Sequence, residues 1–403
     1  MTNRFNNKAL NGNLEWNFTK DDQRFDNTRD LNVINSSNEL AALRFDGALM
    51  ILGEVEVAFA SHKLSEQQNL RNERGFIDRS IDHFSNKIDL RKYLNLNKLD
   101  WMFGAQDEDS KLNFWDDQIF NNVQQVGLKQ AEILRTQAGI ATVLKLHSKG
   151  DNEGRWLTDL DVSYRYDFVS DKSDSLINRK DIVDLSEVSA LINFGNNRWS
   201  NNIFKISTIA SKRAPGITTA YWVTTGNNIK FPSLQQQISQ IAFLNPDQRV
   251  LQPERMKSLE VGINLLTEPK SMENIDQMEL QASIFRNDYI NKMRSTFLLG
   301  MPIAYFENIT LATMSGLELK AKAKTYEGKF TGEIGLSNYN ISDMSAFPFK
   351  SAFKLTINTT SKWSAFTFGA RFYQEGEQVG LILVPEKGFN EIELPAFSNY
   401  DLH

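Results

Sequence analysis

Apolar and polar residues alternate with a period of two in many segments of the chain. In the segment 316–324, GLELKAKAK, Leu317 and Leu319 alternate with Glu318 and Lys320. A period of two places alternate side chains on opposite faces of a β-strand. About 16 segments show this pattern, most of them about 9–12 residues long, which is the length that a tilted strand needs to cross a bilayer.

The connections between these segments alternate between short and long. Tight turns are predicted at 326–328, 360–362 and 196–201. Long connections are predicted at 20–37, 66–85, 106–135, 170–186, 211–256, 289–314 and 374–396. Bacterial outer-membrane barrels combine short periplasmic turns with long extracellular loops, and their strands are apolar toward lipid and polar toward the lumen. The pattern therefore predicts an all-β, antiparallel transmembrane barrel.

Composition excludes several other classes of protein. The chain has 403 residues, a net charge of −5 and no cysteine. A nucleic-acid-binding protein would need clustered basic residues and a high pI, and the absence of cysteine excludes disulfides and thiolate metal sites. No run of apolar residues is long enough for a transmembrane helix.

No catalytic pattern is present, so we predict that the protein is not an enzyme, and no metal or cofactor site is predicted. The four histidines are dispersed and form no HExxH motif. Four aromatic residues in predicted long loops are candidates for ligand binding, because aromatic rings offer a large contact area at a small entropic cost. They are Tyr221, Trp222, Tyr305 and Phe306. An interfacial aromatic girdle is the competing role.

Several motifs resemble those of TonB-dependent outer-membrane receptors. The segment 210–222, ASKRAPGITTAYW, resembles the family's F-R-A-P-s…E-L-Y segment, and 245–265 resembles its g-N-p-x-L-x-P-E…E-x-G segment. Asn308 together with residues 316–319, GLEL, resembles the family's N…A…G-x-E-x motif. The matching residues are Arg213, Pro215, Asn245, Pro246, Pro253, Glu254, Glu260, Gly262, Asn308, Gly316 and Glu318.

The resemblance implies a barrel of about 22 strands, of which residues 1–403 would form about 16 as one partial barrel domain. It further implies a plug domain and a TonB contact, both expected in a region N-terminal to this chain. The family's function is the TonB-energised uptake of a scarce ligand across the Gram-negative outer membrane. The resemblance thus predicts uptake of an iron chelate, cobalamin or a glycan, with Arg213 among the ligand contacts.

Two alternatives remain open from the residues. The first is a passive outer-membrane barrel of the porin type. The second is a soluble, β-rich binding module, since soluble barrels and sandwiches also alternate. Their strands are usually shorter, and their loops do not alternate so regularly in length.

Overall fold

The computed structural model describes residues 2–6, 10–27, 32–49, 53–72, 75–120, 127–148, 154–178, 196–241, 250–268, 274–298, 304–384 and 388–402. Nineteen strands in these residues belong to one sheet. They are β1 (Thr2–Asn6), β2 (Leu10–Asn27), β3 (Asn32–Leu49), β4 (Gly53–Asn72), β5 (Gly75–Leu96), β6 (Leu99–Phe120), β7 (Leu128–His147), β8 (Trp156–Asn178), β9 (Arg198–Ala214), β10 (Ile217–Lys230), β11 (Glu254–Thr267), β12 (Ile275–Leu298), β13 (Ala304–Thr325), β14 (Phe330–Ile341), β15 (Phe353–Trp363), β16 (Phe366–Glu375), β17 (Gln378–Val384), β18 (Gly388–Leu394) and β19 (Phe397–Leu402).

The sheet is an antiparallel meander in which β1 to β16 pair in chain order. β19 pairs with β16, and β17 and β18 form a hairpin whose first strand pairs in parallel with the end of β12. In the described part of the chain the sheet is not closed: β1 pairs only with β2, and β19 only with β16. The predicted all-β, antiparallel architecture is confirmed.

Helical structure within the described ranges is limited to short pieces, a five-residue helix at Leu234–Ile238 and a 3-10 turn at Met344–Ala346. No helix in those ranges is long and apolar enough to cross a membrane.

The two ends of the strands differ in their connections. At one end, here called the short-turn end, the connections 97–98, 215–216 and 364–365 contain two residues each. Asn97, Gly216 and Ser364 adopt positive φ angles there, as tight hairpin turns require. The opposite end, here called the long-loop end, carries the connections 231–253, 342–352 and 376–396.

Strand lengths differ from the sequence prediction. β12 contains 24 residues and β5 contains 22, which at about 3.3 Å per residue is far more than a bilayer requires. Long strands also take up most of the predicted loops. Most residues of 20–37 belong to β2 and β3, of 66–85 to β4 and β5, of 106–135 to β6 and β7, and of 289–314 to β12 and β13. The hairpin predicted at 196–201 is also wrong, because Arg198 begins β9 and pairs directly with Ser170 of β8.

One face of the sheet carries a continuous band of exposed apolar side chains, and we call this face the outer face. The band crosses neighbouring strands in register; Ile284, for example, is paired with Val261 on one side and Leu317 on the other. Its members include Trp16, Leu43, Phe59, Ile88, Phe103, Ile140, Tyr164, Phe204, Val223, Val261, Ile284, Leu317, Ile334 and Phe368. The outer face thus has the surface that a lipid-facing barrel wall needs.

The apolar side chains change faces near the long-loop end. In β5 the exposed Ile88 and Leu90 lie on the outer face, whereas the buried Ile77 and Ile81 lie on the inner face. The pairing of β5 with β6 continues through this change without a register shift. The hydrophobic pattern therefore shifts by one residue while the strand itself stays regular, and the buried core lies inside the wall at the long-loop end.

Candidate functional site

Residues 231–241, here called the roof segment, fold over the inner face at the long-loop end. Ser233 caps the short helix: its Oγ accepts a hydrogen bond of 3.1 Å from Gln236 N, and Gln236 Oε1 accepts one of 2.9 Å from Ser233 N. This reciprocal pair is a capping box, which satisfies two backbone donors at the helix start. The cap makes a helix of only five residues well defined.

The helix buries two apolar side chains against the inner faces of β5, β6 and β7. Leu234 and Ile238 are each 4% exposed and join one apolar cluster with residues of those strands. The strand residues of this cluster are Ile81, Leu112, Phe114, Leu128, Ala131 and Ile133. Burial of a Leu or Ile side chain contributes about 1.5–3 kcal/mol, so the contact holds the roof segment to this part of the wall.

A buried ion pair lies beside this apolar contact. Arg135 of β7 donates from Nε to Asp171 Oδ1 at 2.6 Å and from Nη2 to Asp171 Oδ2 at 2.9 Å. Arg135 Nη2 also donates to the carbonyl oxygen of Pro232 at 2.8 Å, and Gln237 Nε2 donates to Asp171. The pair on the wall is therefore hydrogen-bonded to the roof segment at two positions.

The roof segment also contacts a distant part of the wall. Phe306 of β13 donates its backbone N–H to the carbonyl of Ser239 at 2.8 Å, and Gln240 forms a parallel bridge with Phe306. Strands β8 to β12 separate β7 from β13 in the sheet. Residues 231–241 therefore connect two separated parts of the wall across the inner side of the mouth.

Residues 250–253 are fastened to β12 and β13 by one asparagine. Asn308 Oδ1 accepts from Gln252 N at 2.6 Å, while Asn308 Nδ2 donates to Gln252 O at 3.1 Å and to Asn291 O at 2.8 Å. Asn291 has a φ of 54°, so its carbonyl is directed out of the regular ladder. Asn308 thus replaces backbone pairing where the loop enters β11.

Glu254, the first residue of β11, forms a second contact at the same height. Its Oε2 accepts from Met293 N at 2.9 Å and from Lys292 Nζ at 2.9 Å. The Lys292 ammonium also lies 5.4 Å from the Tyr289 ring centroid and 5.5 Å from that of Phe347. These contacts bind both the loop 342–352 and the start of β11 to β12.

A model of the β-barrel domain of TonB-dependent receptor-like proteins matches residues 2–402. The chain belongs to the TonB-dependent receptor β-barrel family. Comparison with curated proteins finds no match to this sequence.

Solved structures of receptors from this family share the fold. They include the copper transporter OprC (TM-score 0.64, 12% identity, 98% of this chain and 68% of that chain). The Serratia marcescens haemophore receptor HasR, solved with its haemophore HasA and haem, has a TM-score of 0.59 and 10% identity, and the match covers 97% of this chain and 63% of that chain. The ferric yersiniabactin receptor FyuA of Yersinia pestis has a TM-score of 0.59 and 12% identity, and the match covers 98% of this chain and 59% of that chain. The chain thus spans between 59% and 68% of these three proteins.

Four of the residues that match TonB-dependent receptor motifs form an aromatic–glycine row on the inner face of β10 to β14. Trp222 lies over Gly262, where a Cβ atom would overlap its ring, and Trp222 Nε1 donates to Glu260 at 3.1 Å. Gly316 is covered in the same way by the rings of Phe285 and Tyr339. Tyr339 Oη donates to Glu318 at 2.8 Å. Each glycine therefore provides room for an aromatic ring, and each glutamate accepts a hydrogen bond from an aromatic side chain.

A lysine from the loop 342–352 extends this row toward the long-loop end. Lys350 Nζ lies 4.5 Å from the Tyr339 ring centroid, a distance suited to a cation–π contact. Burial lowers the pKa of Lys350, and the charge of Lys354 lowers it further.

The segment with Arg213 and Pro215 lies elsewhere than predicted. The loop predicted at 211–256 is wrong in its first part, since Pro215 and Gly216 form the turn between β9 and β10 at the short-turn end. Proline fixes its own φ, and Gly216 supplies the φ of 76°, so this pair ends one strand and begins the next. Arg213 therefore lies at the end of the sheet opposite to the roof segment.

The four aromatic candidates fall into different environments. Tyr221 is 47% exposed on the outer face, 5.8 Å from the ring of Trp156, which favours the girdle role. Trp222, one residue later, faces inward. Tyr305 is 3% exposed, and its neighbour Phe306 holds the roof segment through its backbone. None of the four lies in an open loop, and their role in ligand binding stays a prediction.

Asn245 and Pro246 lie outside the described residues, and Pro253 directly precedes β11. Sequence reasoning missed Arg135, Asp171 and Gln237, which hold the roof segment. The pattern Ser233-x-x-Gln236 is a capping-box signal and could have identified the helix. No local pattern links Arg135 to Asp171, because their pairing depends on the register of two strands.

Proposed function

We propose that this protein is an outer-membrane receptor that takes up a scarce ligand with energy supplied through TonB. The roof segment, which is fixed to β7 and to β13 on the inner face, is the observation that carries the proposal. In this proposal the segment stands in the path along the lumen, so transport requires a ligand-dependent or energy-dependent rearrangement. A passive porin would need an open path instead.

Residues 1–403 act, in this proposal, as the barrel domain of the receptor. The short-turn end faces the periplasm and the long-loop end faces the outside, in keeping with the usual distribution of turns and loops in outer-membrane barrels. The apolar band on the outer face contacts lipid. The plug and the TonB contact act from the lumen and the periplasmic side.

The ligand is a metal-containing compound in the favoured version of the proposal. The three named structures are a copper transporter, a haemophore receptor in complex with its haemophore and haem, and a ferric yersiniabactin receptor. At such low identity these structures share only their fold with this chain. The proposed class of ligand rests on the fact that all three of their ligands contain a metal. Cobalamin also contains a metal, whereas a glycan is the less favoured choice.

Uptake by cells separates energised transport from passive diffusion. Cells with and without the gene would receive radiolabelled ferric chelates, haem, cobalamin and copper. We expect one of these to accumulate only when the gene is present, and its accumulation to stop when an uncoupler collapses the proton gradient. Gene-dependent accumulation that continues with the uncoupler would instead establish a porin.

Cysteine labelling tests the proposed orientation. A cysteine at Asn227, toward the long-loop end of β10, should react in intact cells with a membrane-impermeant reagent. A cysteine at Glu327, in the turn between β13 and β14, should react only after the outer membrane is opened. Labelling of position 327 but not position 227 in intact cells would contradict this orientation and indicate the opposite one.

A further inference from the structure

Two of the four histidines of the chain lie side by side on the wall. His62 is in β4 and His83 is in β5, and their ring centroids are 6.1 Å apart with an interplanar angle of 64°. The register pairs His62 with Ser85 and His83 with Leu64, so the two rings are diagonal neighbours on one face. They are far apart in the sequence and come together only through strand pairing.

The pair lies on the inner face directly next to the core that holds the roof segment. His83 is paired with Leu112 of β6, which is fully buried in the apolar cluster around the helix. Ile81, the preceding inner residue of β5, belongs to the same cluster. A ligand that passes the roof segment along this side of the lumen would meet the two imidazoles first.

The separation of the rings fits one shared metal ion. An imidazole nitrogen binds zinc at about 2.0–2.1 Å, and the ring centroid lies about 1 Å beyond that nitrogen. Two imidazoles on one ion therefore have centroids on the order of 6 Å apart when the angle at the metal is wide, because each metal–nitrogen bond adds about 2 Å. The distance of 6.1 Å falls in this range.

One of the rings is already held as a metal ligand usually is. His62 Nε2 lies 2.7 Å from Asn38 Oδ1, which can only accept, so the imidazole donates from Nε2. The lone pair then resides on Nδ1, which is free to bind a metal. A hydrogen bond from the second ring nitrogen to an oxygen is the common way to orient a ligating histidine.

We propose that His62 and His83 form a transition-metal site on the inner wall below the roof segment. Imidazole ligands suit Cu²⁺, Ni²⁺ and Zn²⁺. The described residues hold no group of three or more His, Cys, Asp or Glu side chains arranged around a metal, so the pair leaves coordination positions open. Open positions suit an ion in passage, either free or carried by a chelator that leaves sites unfilled. Only this role in passage rests on the proposed uptake function.

Copper titration tests the site without any transport step. Purified protein in detergent would be titrated with Cu²⁺ alone and followed by calorimetry and electron paramagnetic resonance. We expect one ion per chain with splitting from two nitrogen ligands. His62→Ala or His83→Ala should weaken binding at least tenfold, and Asn38→Ala should weaken it by about 10–100-fold, as loss of a group that orients a ligand does.

His147→Ala is the matched control, because both ring nitrogens of His147 contact carboxylates, those of Asp100 and Asp159. It should bind Cu²⁺ as the unaltered protein does. Heat-modifiable electrophoretic mobility would verify that each variant is folded. If a histidine variant fails that check, the nitrogen splitting in the unaltered protein decides. A spectrum without two nitrogens, or unchanged affinity in folded His62→Ala and His83→Ala, would overturn the site.

A second titration distinguishes the two forms of the ion. A copper chelate with open positions should bind to the unaltered protein if chelated ions are taken, and a saturated chelate should not. If only free Cu²⁺ binds, the site serves the bare ion. Failure of uptake in cells with this binding intact would contradict the proposed function and leave the metal site standing.

Discussion

The two ends of β5 use hydrophobic residues in opposite ways. Toward the short-turn end, Ile88 is 51% exposed on the outer face, whereas Ile77 toward the long-loop end is 2% exposed on the inner face. The backbone is continuous between them. The proposed orientation explains the difference by the surroundings, with lipid outside one half and water outside the other.

In the proposed outer-membrane orientation, this change of face marks where the wall leaves the membrane. In β6 the exposed Phe103 lies on the outer face, and Leu112 and Phe114 lie in the inner core. In β7 the corresponding residues are Ile140 outside and Ile133 inside. A membrane half that is stabilised by lipid and an outer half that is stabilised by its own core should respond differently to the same kind of substitution.

The largest effect is expected in the core of the outer half. Arg135→Leu leaves Asp171 buried without its partner, which typically costs about 3–5 kcal/mol. The roof segment should then loosen, because Pro232 loses its hydrogen bond to Arg135 and Gln237 is left with only the unpaired Asp171. Hydrogen exchange of residues 231–241 would measure this loss of protection.

The surface pair of Arg286 and Asp288 is the matched control. Their side chains are 64% and 45% exposed, so Arg286→Leu should change stability by less than about 1 kcal/mol. Equal effects of Arg135→Leu and Arg286→Leu would show that the outer half has no anchored core.

The membrane half should be most sensitive on its outer face. Leu319 is paired with Ala282 and Leu336 within the apolar band, whereas Lys320 points inward, 3.3 Å from Glu333. Leu319→Arg should cost about 2–4 kcal/mol near the bilayer midplane, and Lys320→Ala should cost less than about 1 kcal/mol. Refolding titrations in lipid would give both values, and similar costs would contradict the assignment of the two faces.

A smaller effect is expected on the inner face of the membrane half. Gly262→Ala places a methyl group against the Trp222 ring, and such overpacking costs about 1–3 kcal/mol. The fluorescence of Trp222 should shift as the ring moves. Adding Trp222→Ala should remove most of the cost, and a cost that persists in the double variant would place its cause elsewhere.

The sequence predicted the membrane half better than the outer half. The alternation in 316–324 identified part of β13, because lipid on one side and a polar lumen on the other impose a period of two. In β6 the apolar residues change from odd to even positions between Phe103 and Leu112. This change interrupts the period of two, which is why the sequence predicts a loop beginning at residue 106. The interruption is a change of environment within one strand.

The candidate site was less accessible to sequence reasoning. Gly262 and Glu260 were recognised as motif residues, but the stacking of Trp222 on that glycine follows from the register of β10 and β11. Arg135 of β7 and Pro232 of the roof segment are brought together from distant parts of the chain, and His62 and His83 come together from separate strands. Contacts of this kind leave no spacing in the sequence, because they depend on which strands are neighbours.

The roof segment also has a consequence for the order of assembly. The hydrogen bond from Arg135 to Pro232 joins residues that are 97 positions apart, and the one from Gln252 to Asn308 joins residues 56 apart. Contacts across such long loops form only after the intervening chain has been ordered. Residues 231–241 can therefore dock only once β7, β8 and β13 are in place. The time at which this segment becomes resistant to protease during biogenesis would thus show when these strands have assembled.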